Sequence, residues 1–470
     1  MMTHSLIADD ALTALVARLL AAVARPGQTI LLDGPVGAGK THFARAFIRA
    51  RQGEMAEDVP SPTFTLVQTY DDPKGTEIWH ADLYRLTDPS ELDELGLDEA
   101  QENAICLIEW PDRLEALPED ALTVSIRMHD DPERREITLI GAGASRLVQL
   151  AGFIAGTDWA GGGIAPLAGD ASARRYFRLA NETGRAVLMD DPAGDVDRFV
   201  AMTDWLRDQG FGAPAIFARD MSAGFLLMED LGDDLVARVL ERSPDLARPI
   251  YDRITGFLVD LHRLPVPGFV LPLDGRRMAE QVRLFAEWYP QAAGVPVGAA
   301  AEIGAIIGRL HAELAAEMRP VLSLRDFHAE NLIWRGDAPL GLLDYQDAVS
   351  CHPAYDLVSV LQDTRRAVSA EFEAEYIARY LEATGLDEDR FRAAYALMGA
   401  QRNLRVIGIF TRLCIRDGKP RYLAFMPHVW DYILRNVNHP ALAPLAAIMR
   451  ELPAPDETVT ERMRQQCARP

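Results

Sequence analysis

The segment that most constrains the fold is residues 34–41, G-P-V-G-A-G-K-T, which fits the pattern G-x-x-x-x-G-K-[ST]. A short apolar run, Thr29–Leu32, precedes it, and the residues after it have a pattern that predicts a helix through Arg49. This strand–loop–helix order lets main-chain N–H groups surround phosphate oxygens at a helix N-terminus. The pattern therefore predicts an α/β nucleotide-binding domain with a phosphate-binding loop. The residues predicted to bind the nucleotide and its Mg²⁺ are Gly34, Gly37, Gly39, Lys40 and Thr41.

Two acidic residues are candidates for the group that a phosphate-binding loop needs near its metal ion. Asp82 and Glu109 each end an apolar run, and such acids often stand at a strand end. Taken singly, each acid fits a solvated loop carboxylate equally well. Between them, Thr63 in the segment S-P-T-F offers a hydroxyl near the γ-phosphate, although such a segment is also typical of a turn. We interpret His80 as structural.

A second phosphoryl-transfer pattern lies in residues 324–347. Asp326 is followed five residues later by Asn331, and an apolar hairpin then leads to Asp344. A kinase needs a carboxylate that orients the attacking hydroxyl and two oxygen ligands that hold Mg²⁺ against the phosphates. The order and spacing predict a site in which these three residues supply those groups. The alternative is an acidic loop beside an ordinary hairpin.

Residues 164–231 have the order of the small lobe of a kinase: a glycine-containing hairpin, a third strand, a helix and a hinge. Protein-like kinases hold the ATP phosphates with a lysine on the third strand, but this chain has lysine only at Lys40, Lys74 and Lys419. An arginine must then supply that charge through bidentate pairing. For any one candidate, an exposed strand arginine is an interpretation at least as good. The candidates are Arg174, Arg175 and Arg178.

The bulk composition bounds the architecture and disfavours some functions. The 470 residues suffice for two or three domains, and no apolar run reaches the roughly 20 residues that cross a bilayer. A net charge of −22 disfavours direct tight binding of RNA, which relies on basic patches. The cysteines are far apart in sequence, and we interpret all of them as reduced thiols of a cytosolic protein. They are Cys106, Cys351, Cys414 and Cys467.

The first part of the chain resembles a known family. The segments G-P-V-G-A-G-K-T, S-P-T-F-T-L-V, H-A-D-L-Y-R-L and L-I-E-W-P-D-R occur in this order. They are similar to TsaE, the small ATPase family of bacterial tRNA threonylcarbamoyladenosine (t6A37) synthesis, over about residues 8–140. The resemblance implies ATP hydrolysis coupled to the protein complex that carries the modification enzyme, with Thr63 in a switch segment. It also implies that Asp82 and Glu109 lie near the metal ion and the attacking water.

Residues from about 145 to 470 resemble the aminoglycoside phosphotransferase-like kinases. The segments that carry the resemblance are G-D-A-S-A-R-R-Y-F-R-L, L-M-E-D-L-G, R-D-F-H-A-E-N-L-I-W and L-L-D-Y-Q-D-A. They look most like the N-acetylmuramate/N-acetylglucosamine kinases that act on the anomeric hydroxyl in cell-wall recycling. The resemblance implies that Asp326 is the catalytic base on the sugar hydroxyl and that Asn331 and Asp344 are Mg²⁺ ligands.

The resemblance also assigns a hinge and shows one departure. Glu229 and Leu231 fall in the hinge that contacts adenine. Many members of the family read H-G-D at the catalytic loop, whereas Leu324 and Arg325 stand before the aspartate here. The base is retained, but the way in which the loop is supported must differ. For His328, inside the loop, we expect a loop-stabilising role.

Together these patterns predict an α/β chain in which a P-loop NTPase domain, residues 1–143, precedes a two-lobed protein-kinase-like α+β domain, residues 144–470. We expect a bifunctional cytosolic protein that uses ATP and Mg²⁺ at both sites and contacts neither nucleic acid nor membrane directly. Its expected partners are a sugar substrate and a tRNA-modification protein complex. Two alternatives remain. In the first, the kinase phosphorylates an acceptor of the aminoglycoside, choline or homoserine type. In the second, the N-terminal domain is a nucleotide-gated interaction module.

Overall fold

In a computed structural model, the described part of the chain comprises residues 4–56, 58–86, 96–167, 174–194 and 196–468. The chain divides into two compact units. The first comprises Met1–Asp197 and Ala215–Asp230, and the second comprises Arg198–Pro214 and Leu231–Pro470. The small-residue turn predicted at residues 168–173 lies outside the described residues.

The first unit contains a seven-stranded mixed sheet. Its strands are β1 (His4–Ala8), β2 (Thr29–Asp33), β3 (Val67–Asp71), β4 (Glu77–Asp82), β5 (Ile105–Glu109), β6 (Leu122–Met128) and β7 (Arg135–Ile140). They lie in the order β1-β7-β6-β2-β5-β4-β3. β2 pairs in parallel with β5 and β6, and β4 pairs in parallel with β5. Because the carboxyl ends of parallel strands meet at one edge, the loop after β2 lies beside the ends of β4 and β5.

The helices beside this sheet are α1 (Asp10–Val23), α2 (Lys40–Gln52) and α3 (Leu97–Asn103). α1 confirms the helix predicted after Asp9, whose carboxylate caps it by accepting the N–H of Leu12 at 2.8 Å. The apolar residues of α1 recur at helical spacing and therefore form one face, which is buried. α2 begins at the lysine that ends the glycine-rich loop, so the first turn of the helix faces that loop.

A second, antiparallel sheet belongs to the same unit. Its strands are β8 (Gly163–Leu167), β9 (Arg175–Asn181), β10 (Gly184–Asp190), β11 (Ile216–Asp220) and β12 (Phe225–Glu229). They lie in the order β11-β12-β10-β9-β8. Apolar side chains alternate along β9 and β10, as expected for strands with one face in a core. The sequence predicted this succession of hairpin, third strand and hinge strand, and the structure confirms it.

Helix α4 (Ala144–Ala155) joins the two sheets into one apolar core. Leu150 and Ile154 of this helix lie in the same cluster of buried side chains as Leu19 of α1 and Leu188 of β10. Arg18 of α1 also donates a hydrogen bond of 2.6 Å to the carbonyl oxygen of residue 160, just before β8. The nucleotide-binding sheet and the small kinase-like sheet therefore share their hydrophobic stabilisation.

The substitution Leu150→Ala is expected to lower the free energy of unfolding by about 2–5 kcal/mol, because it removes buried methyl groups and leaves a cavity. Leu150 is fully buried in the shared core. Thermal unfolding followed by tryptophan fluorescence measures the effect. Gln149→Ala, at an exposed position of the same helix, is the matched control and is expected to change the stability by no more than about 0.5 kcal/mol. Equal melting temperatures for the two variants would contradict a shared core through α4.

The second unit is mainly helical. Its helices are α5 (Val196–Asp208, which belongs to this unit from Arg198 onward), α6 (Val236–Arg242), α7 (Ala247–Arg263), α8 (Gly275–Ala293), α9 (Ile303–Leu314), α10 (Ala354–Leu361), α11 (Ala370–Thr384), α12 (Glu388–Ile415), α13 (Met426–Val437), α14 (Ala443–Met449) and α15 (Glu457–Gln465). Short strands lie at β13 (Leu271–Pro272), β14 (Val321–Ser323), β15 (Leu332–Ile333), β16 (Gly341–Leu342) and β17 (Val349–Cys351). β15 and β16 form the hairpin that the sequence predicted. The long helix α12 packs against α8, α10 and α13 and forms the centre of this unit.

Two of the cysteines differ from the prediction. Cys414, in α12, forms a disulfide with Cys467, and their Cα atoms lie 4.9 Å apart. The expectation that all cysteines are reduced thiols is therefore wrong for this pair. Packing of α15 against α12 brings together residues that are 53 positions apart, a contact that sequence spacing does not reveal. Cys106 and Cys351 are free and buried. Within the described residues, no helix has both the length and the apolar character needed to cross a membrane.

Candidate functional site

The glycine-rich loop has the backbone that its sequence predicted. Gly37 and Gly39 adopt positive φ angles of 78° and 108°, a region that favours glycine. At Gly34, a Cβ atom would overlap the carbonyl oxygen of Ile126, so the close approach of β6 requires glycine. The loop then delivers Lys40 and the first N–H groups of α2 to one place.

Lys40 is held by main-chain oxygens and an aromatic ring. Its ammonium group donates to the carbonyl oxygens of Gly34 at 2.8 Å and Pro35 at 3.0 Å, and it lies 3.8 Å from the ring centre of Trp110. Burial lowers the pKa of Lys40, and the nearby carboxylates of Glu109 and Asp82 oppose that shift. Sequence reasoning missed Trp110; the only available signal was its position directly after Glu109.

The predicted acids lie beside this lysine at adjoining strand ends. The hydroxyl of Thr41 donates to Glu109 at 2.9 Å, and the ring Nε2 of His80 lies 3.0 Å from the same carboxylate oxygen. The hydroxyl of Thr63 donates to Asp82 at 2.6 Å. Asp82 and Glu109 are directly paired in register between β4 and β5. The structure thus brings all the predicted residues of the first site together, and neither acid is a solvated loop carboxylate.

The three candidate arginines of the small sheet are all paired with carboxylates. Arg174 contacts Asp191 at 2.9 Å and Arg178 contacts Asp230 at 2.7 Å. Arg175 forms an ion pair with Asp190. Arg174 and Arg178 are partly buried, whereas Arg175 is exposed, as the alternative interpretation expected for a strand arginine, although it is paired. Asp190 is fully buried at the end of β10.

Arg146 in helix α4 also pairs with Asp190, through a hydrogen bond of 2.7 Å from its Nε. Its guanidinium lies 4.0 Å from the ring centre of Phe225. Sequence reasoning missed this arginine because its partner is 44 residues away. The pair attaches helix α4 to the end of β10, and Arg175 at the start of β9 pairs with the same aspartate.

The two hinge residues lie in different units. Glu229 accepts the N–H of Ala215 at 3.1 Å in the first unit. Leu231 begins a segment of the second unit and is 9% exposed. The structure thus places them in a connection between β12 and α6, where the sequence predicted the hinge.

The predicted catalytic-loop residues lie in the second unit and are linked by hydrogen bonds. The side-chain amide of Asn331 donates to the carbonyl oxygen of Asp326 at 2.9 Å. The N–H of Leu343 donates to the carbonyl oxygen of Asn331 at 2.9 Å. Asp344 follows directly, with an exposed side chain and a φ of 54°. The loop and the end of the hairpin are therefore fixed to each other, as the predicted arrangement requires.

Asp356 holds the segment before Asp326 in place through hydrogen bonds. Its buried carboxylate accepts the hydroxyl of Ser323 at 2.7 Å and the N–H groups of Leu324 and Arg325 at 2.6 and 3.0 Å. Arg325 has a φ of 69°, a conformation that is costly for a residue with a side chain. Asp356 stands in the first turn of α10, in the segment P-A-Y-D, and sequence reasoning assigned it no role.

Kinase activity is expected to fall as the pH drops through about 6. Burial raises the pKa of Asp356 to about 6, although its three hydrogen bonds favour the ionised form. Protonation would place an O–H against loop groups that are themselves donors, so the loop would shift as the acid form accumulates. Because the pKa of Asp356 is raised from 3.8 to about 6 in the folded state, its ionisation lowers the free energy of unfolding as the pH rises between these two values. The ionised carboxylate nevertheless orders the loop.

The dependence of kcat on pH in wild type and in Asp356→Asn measures this. The variant should have low activity and should lack the step near pH 6, because an amide does not titrate. An unchanged step in the variant would assign the titration to another group.

Comparisons with known proteins match two separate parts of the chain. A sequence model of threonylcarbamoyl adenosine biosynthesis protein TsaE matches residues 7–137, and a model of the phosphotransferase enzyme family matches residues 163–394. An N-acetylmuramate/N-acetylglucosamine kinase of Caulobacter vibrioides is 40% identical over 326 residues, which are 60% of this chain and 89% of that protein. A TsaE protein of Rickettsia bellii is 43% identical over 119 residues, which are 25% of this chain and 81% of that protein. The chain belongs to both families.

Membership confirms the predicted fold class and enzyme class. The chain is a TsaE-type P-loop ATPase part followed by an ATP-dependent phosphotransferase part with the protein-kinase-like fold. A solved choline/ethanolamine kinase family protein from Mesorhizobium loti has a TM-score of 0.47 and 13% identity, covering 67% of this chain and 98% of its own. Both the TsaE part and the phosphotransferase part use ATP.

Proposed function

We propose that the phosphotransferase part transfers the γ-phosphoryl group of ATP to the anomeric hydroxyl of an amino sugar, N-acetylmuramate or N-acetylglucosamine, in cell-wall recycling. The relative from Caulobacter vibrioides, named for these two sugars, supports this substrate class. The observation that carries the proposal is the linkage of Asp326, Asn331 and the end of the hairpin at Asp344. These residues supply the base and the oxygen ligands that kinase chemistry needs.

Each residue of this loop has one role in the proposal. The carboxylate of Asp326 accepts the proton of the sugar hydroxyl and orients its oxygen toward the phosphorus. The amide of Asn331 donates to the main chain, so its side-chain oxygen is left to bind a metal ion together with Asp344. Hard oxygen ligands suit Mg²⁺, which neutralises developing phosphate charge when it is bound. Asp356 holds the loop in this geometry.

We propose that the TsaE part hydrolyses ATP in support of the t6A37 modification of tRNA and acts through a protein complex. Lys40 and the loop glycines hold the phosphates, and Thr41 ligates Mg²⁺. The hydroxyl of Thr41 donates its proton to Glu109, which leaves its lone pairs free for the ion. Asp82 and Thr63 then lie near the attacking water. The division at residue 143 is part of this proposal, and α4 begins at Ala144.

The test of the kinase is transfer of labelled phosphate from ATP by the purified full-length chain to a panel of acceptors. The panel contains N-acetylmuramate, N-acetylglucosamine, kanamycin, choline and homoserine. We expect the label on the two amino sugars. Label on kanamycin, choline or homoserine alone would replace the proposed substrate class while retaining kinase chemistry.

Phosphate release tests the TsaE part, measured with and without the partner proteins of t6A synthesis. We expect turnover that the partners increase. Binding of ATP without phosphate release, even with partners present, would instead favour a nucleotide-gated interaction module.

A further inference from the structure

A group of arginine side chains in the second unit lies beside the catalytic loop. Arg402 and Arg405 are three positions apart on α12 and therefore lie on the same side of that helix. Arg405 is within electrostatic range of Asp326, Arg325 and Arg402. Arg325 immediately precedes the catalytic aspartate. Arg405 therefore lies close enough to the loop of Asp326 to be influenced by its charges.

These arginines lack the carboxylate partners that other buried arginines have. Arg402 is 5% exposed, and its one hydrogen bond within the described part of the chain is a long one of 3.5 Å to the carbonyl oxygen of Gln362. The Nε of Arg325 is buried without a hydrogen-bond partner. Among the described residues, no carboxylate oxygen lies within 4.0 Å of Arg325, Arg402 or Arg405. By contrast, Arg435 in the same unit pairs with a buried glutamate.

Asp326 offsets part of the charge of Arg405, but buried arginines with no carboxylate at ion-pair distance remain costly unless an anion joins them. Burying a guanidinium without a counter-ion forfeits hydration, and like charges close together repel each other. The chain has 70 acidic and 48 basic side chains, so carboxylates to pair with these arginines are not scarce in its composition. The arrangement therefore favours an external anion as the partner.

One of the three arginines, Arg405, opens onto a surface pocket that has the size for a sugar. Arg405 lines a pocket of about 460 Å³ between α8 and α12, together with Arg283 and Gln281. The side-chain oxygen of Gln281 is buried without a hydrogen-bond partner and is suited to accept from a hydroxyl or an amide N–H. Glu280 and Glu287 also line the pocket and can accept from sugar hydroxyls.

We propose that Arg405, with Arg402 and Arg325, recognises an anionic group on the acceptor, and that this group is the carboxylate of the lactyl ether of N-acetylmuramate. This inference rests on the proposed function and names the part of the substrate that the site recognises. Guanidinium groups bind carboxylates through two parallel hydrogen bonds. The same cluster repels cationic acceptors such as aminoglycosides and choline.

Arg405→Ala tests the proposal through the ratio of kcat/KM for N-acetylmuramate to that for N-acetylglucosamine, which lacks the lactyl carboxylate. Wild type should prefer N-acetylmuramate. The variant should lose about tenfold to a hundredfold in kcat/KM for N-acetylmuramate, with little change for N-acetylglucosamine. The methyl ester of N-acetylmuramate should behave in wild type as the free acid does in the variant.

Two controls separate recognition from damage to the fold. Arg392→Ala removes an arginine from the same helix whose partner is Glu388, and it should leave both sugars unaffected. Arg405→Lys should restore part of the preference because it retains the charge. Equal losses for both sugars in Arg405→Ala would overturn this inference and leave the proposed function standing. Failure of wild type to phosphorylate either sugar would overturn both.

Discussion

Asp326→Asn is expected to lower kcat for phosphate transfer to the sugar by about 10²–10⁴-fold, because it removes the proton acceptor and little else. Both main-chain polar groups of Asp326 take part in hydrogen bonds. Its N–H donates to the carbonyl oxygen of Leu324 at 2.8 Å, and its carbonyl oxygen accepts the amide of Asn331. Asparagine has the same shape as aspartate, so the loop should keep its conformation. Transfer of labelled phosphate to N-acetylglucosamine measures the loss.

Asp337→Asn is the matched control, since this exposed aspartate lies in the turn of the adjoining hairpin. It should retain wild-type kcat. Phosphate release by the TsaE part should be the same in Asp326→Asn and wild type, because Asp326 lies in the second unit and the glycine-rich loop lies in the first. A wild-type kcat in Asp326→Asn would show that another group accepts the proton.

The residues of the two sites that the sequence predicts are those whose structure depends on neighbouring residues in the chain. The glycine-rich loop needs a strand before it and a helix after it, and both are evident as patterns around residues 34–41. Asp82 and Glu109 are recognisable because each ends an apolar strand, and parallel pairing then places them side by side. The hairpin that leads to Asp344 is similarly local.

The supporting residues are not readable in this way. Asp356 is 32 residues from the N–H of Leu324 that it binds, and Arg146 is 44 residues from Asp190. An aspartate in a first helical turn or an arginine on a helix has many ordinary uses, so neither signals a contact. Only the packing of α10 under the loop and of α4 against the small sheet decides their roles. The disulfide of Cys414 depends on packing of the same kind.

The departure from H-G-D in the catalytic loop has a structural explanation. Glycine in that motif would adopt a positive φ without cost, whereas Arg325 adopts 69° with a side chain. The carboxylate of Asp356 accepts the consecutive N–H groups of Leu324 and Arg325 and stabilises this conformation. Arg325 directly precedes Asp326, the proposed base, in the chain. At the position of the glycine in H-G-D, this chain therefore has a positively charged residue whose backbone conformation needs support from Asp356.

Lys40→Ala is expected to lower ATP hydrolysis by the TsaE part by about 10²–10³-fold, because it removes the cation that stabilises charge on the transferring phosphoryl group. The side chain is 5% exposed and lies between Trp110 and the loop carbonyl oxygens, so it is already in place for the phosphates. Phosphate release and binding of a fluorescent ATP analogue measure hydrolysis and affinity separately. Lys74→Ala, at an exposed lysine of the same part, is the control and should behave as wild type.

Sugar phosphorylation in Lys40→Ala decides whether the chain has two independent sites. Asp326, Asn331 and Asp344 lie in the other unit, and their hydrogen bonds do not involve Lys40. The variant should therefore keep the wild-type kcat for the sugar while hydrolysis is lost, which is the reverse of the result expected for Asp326→Asn. If Lys40→Ala removed both activities at an unchanged melting temperature, a single nucleotide site would have to serve both reactions. The shared core around α4 makes the melting temperature an essential part of this test, since unfolding of the first unit would also disrupt the small sheet of the kinase.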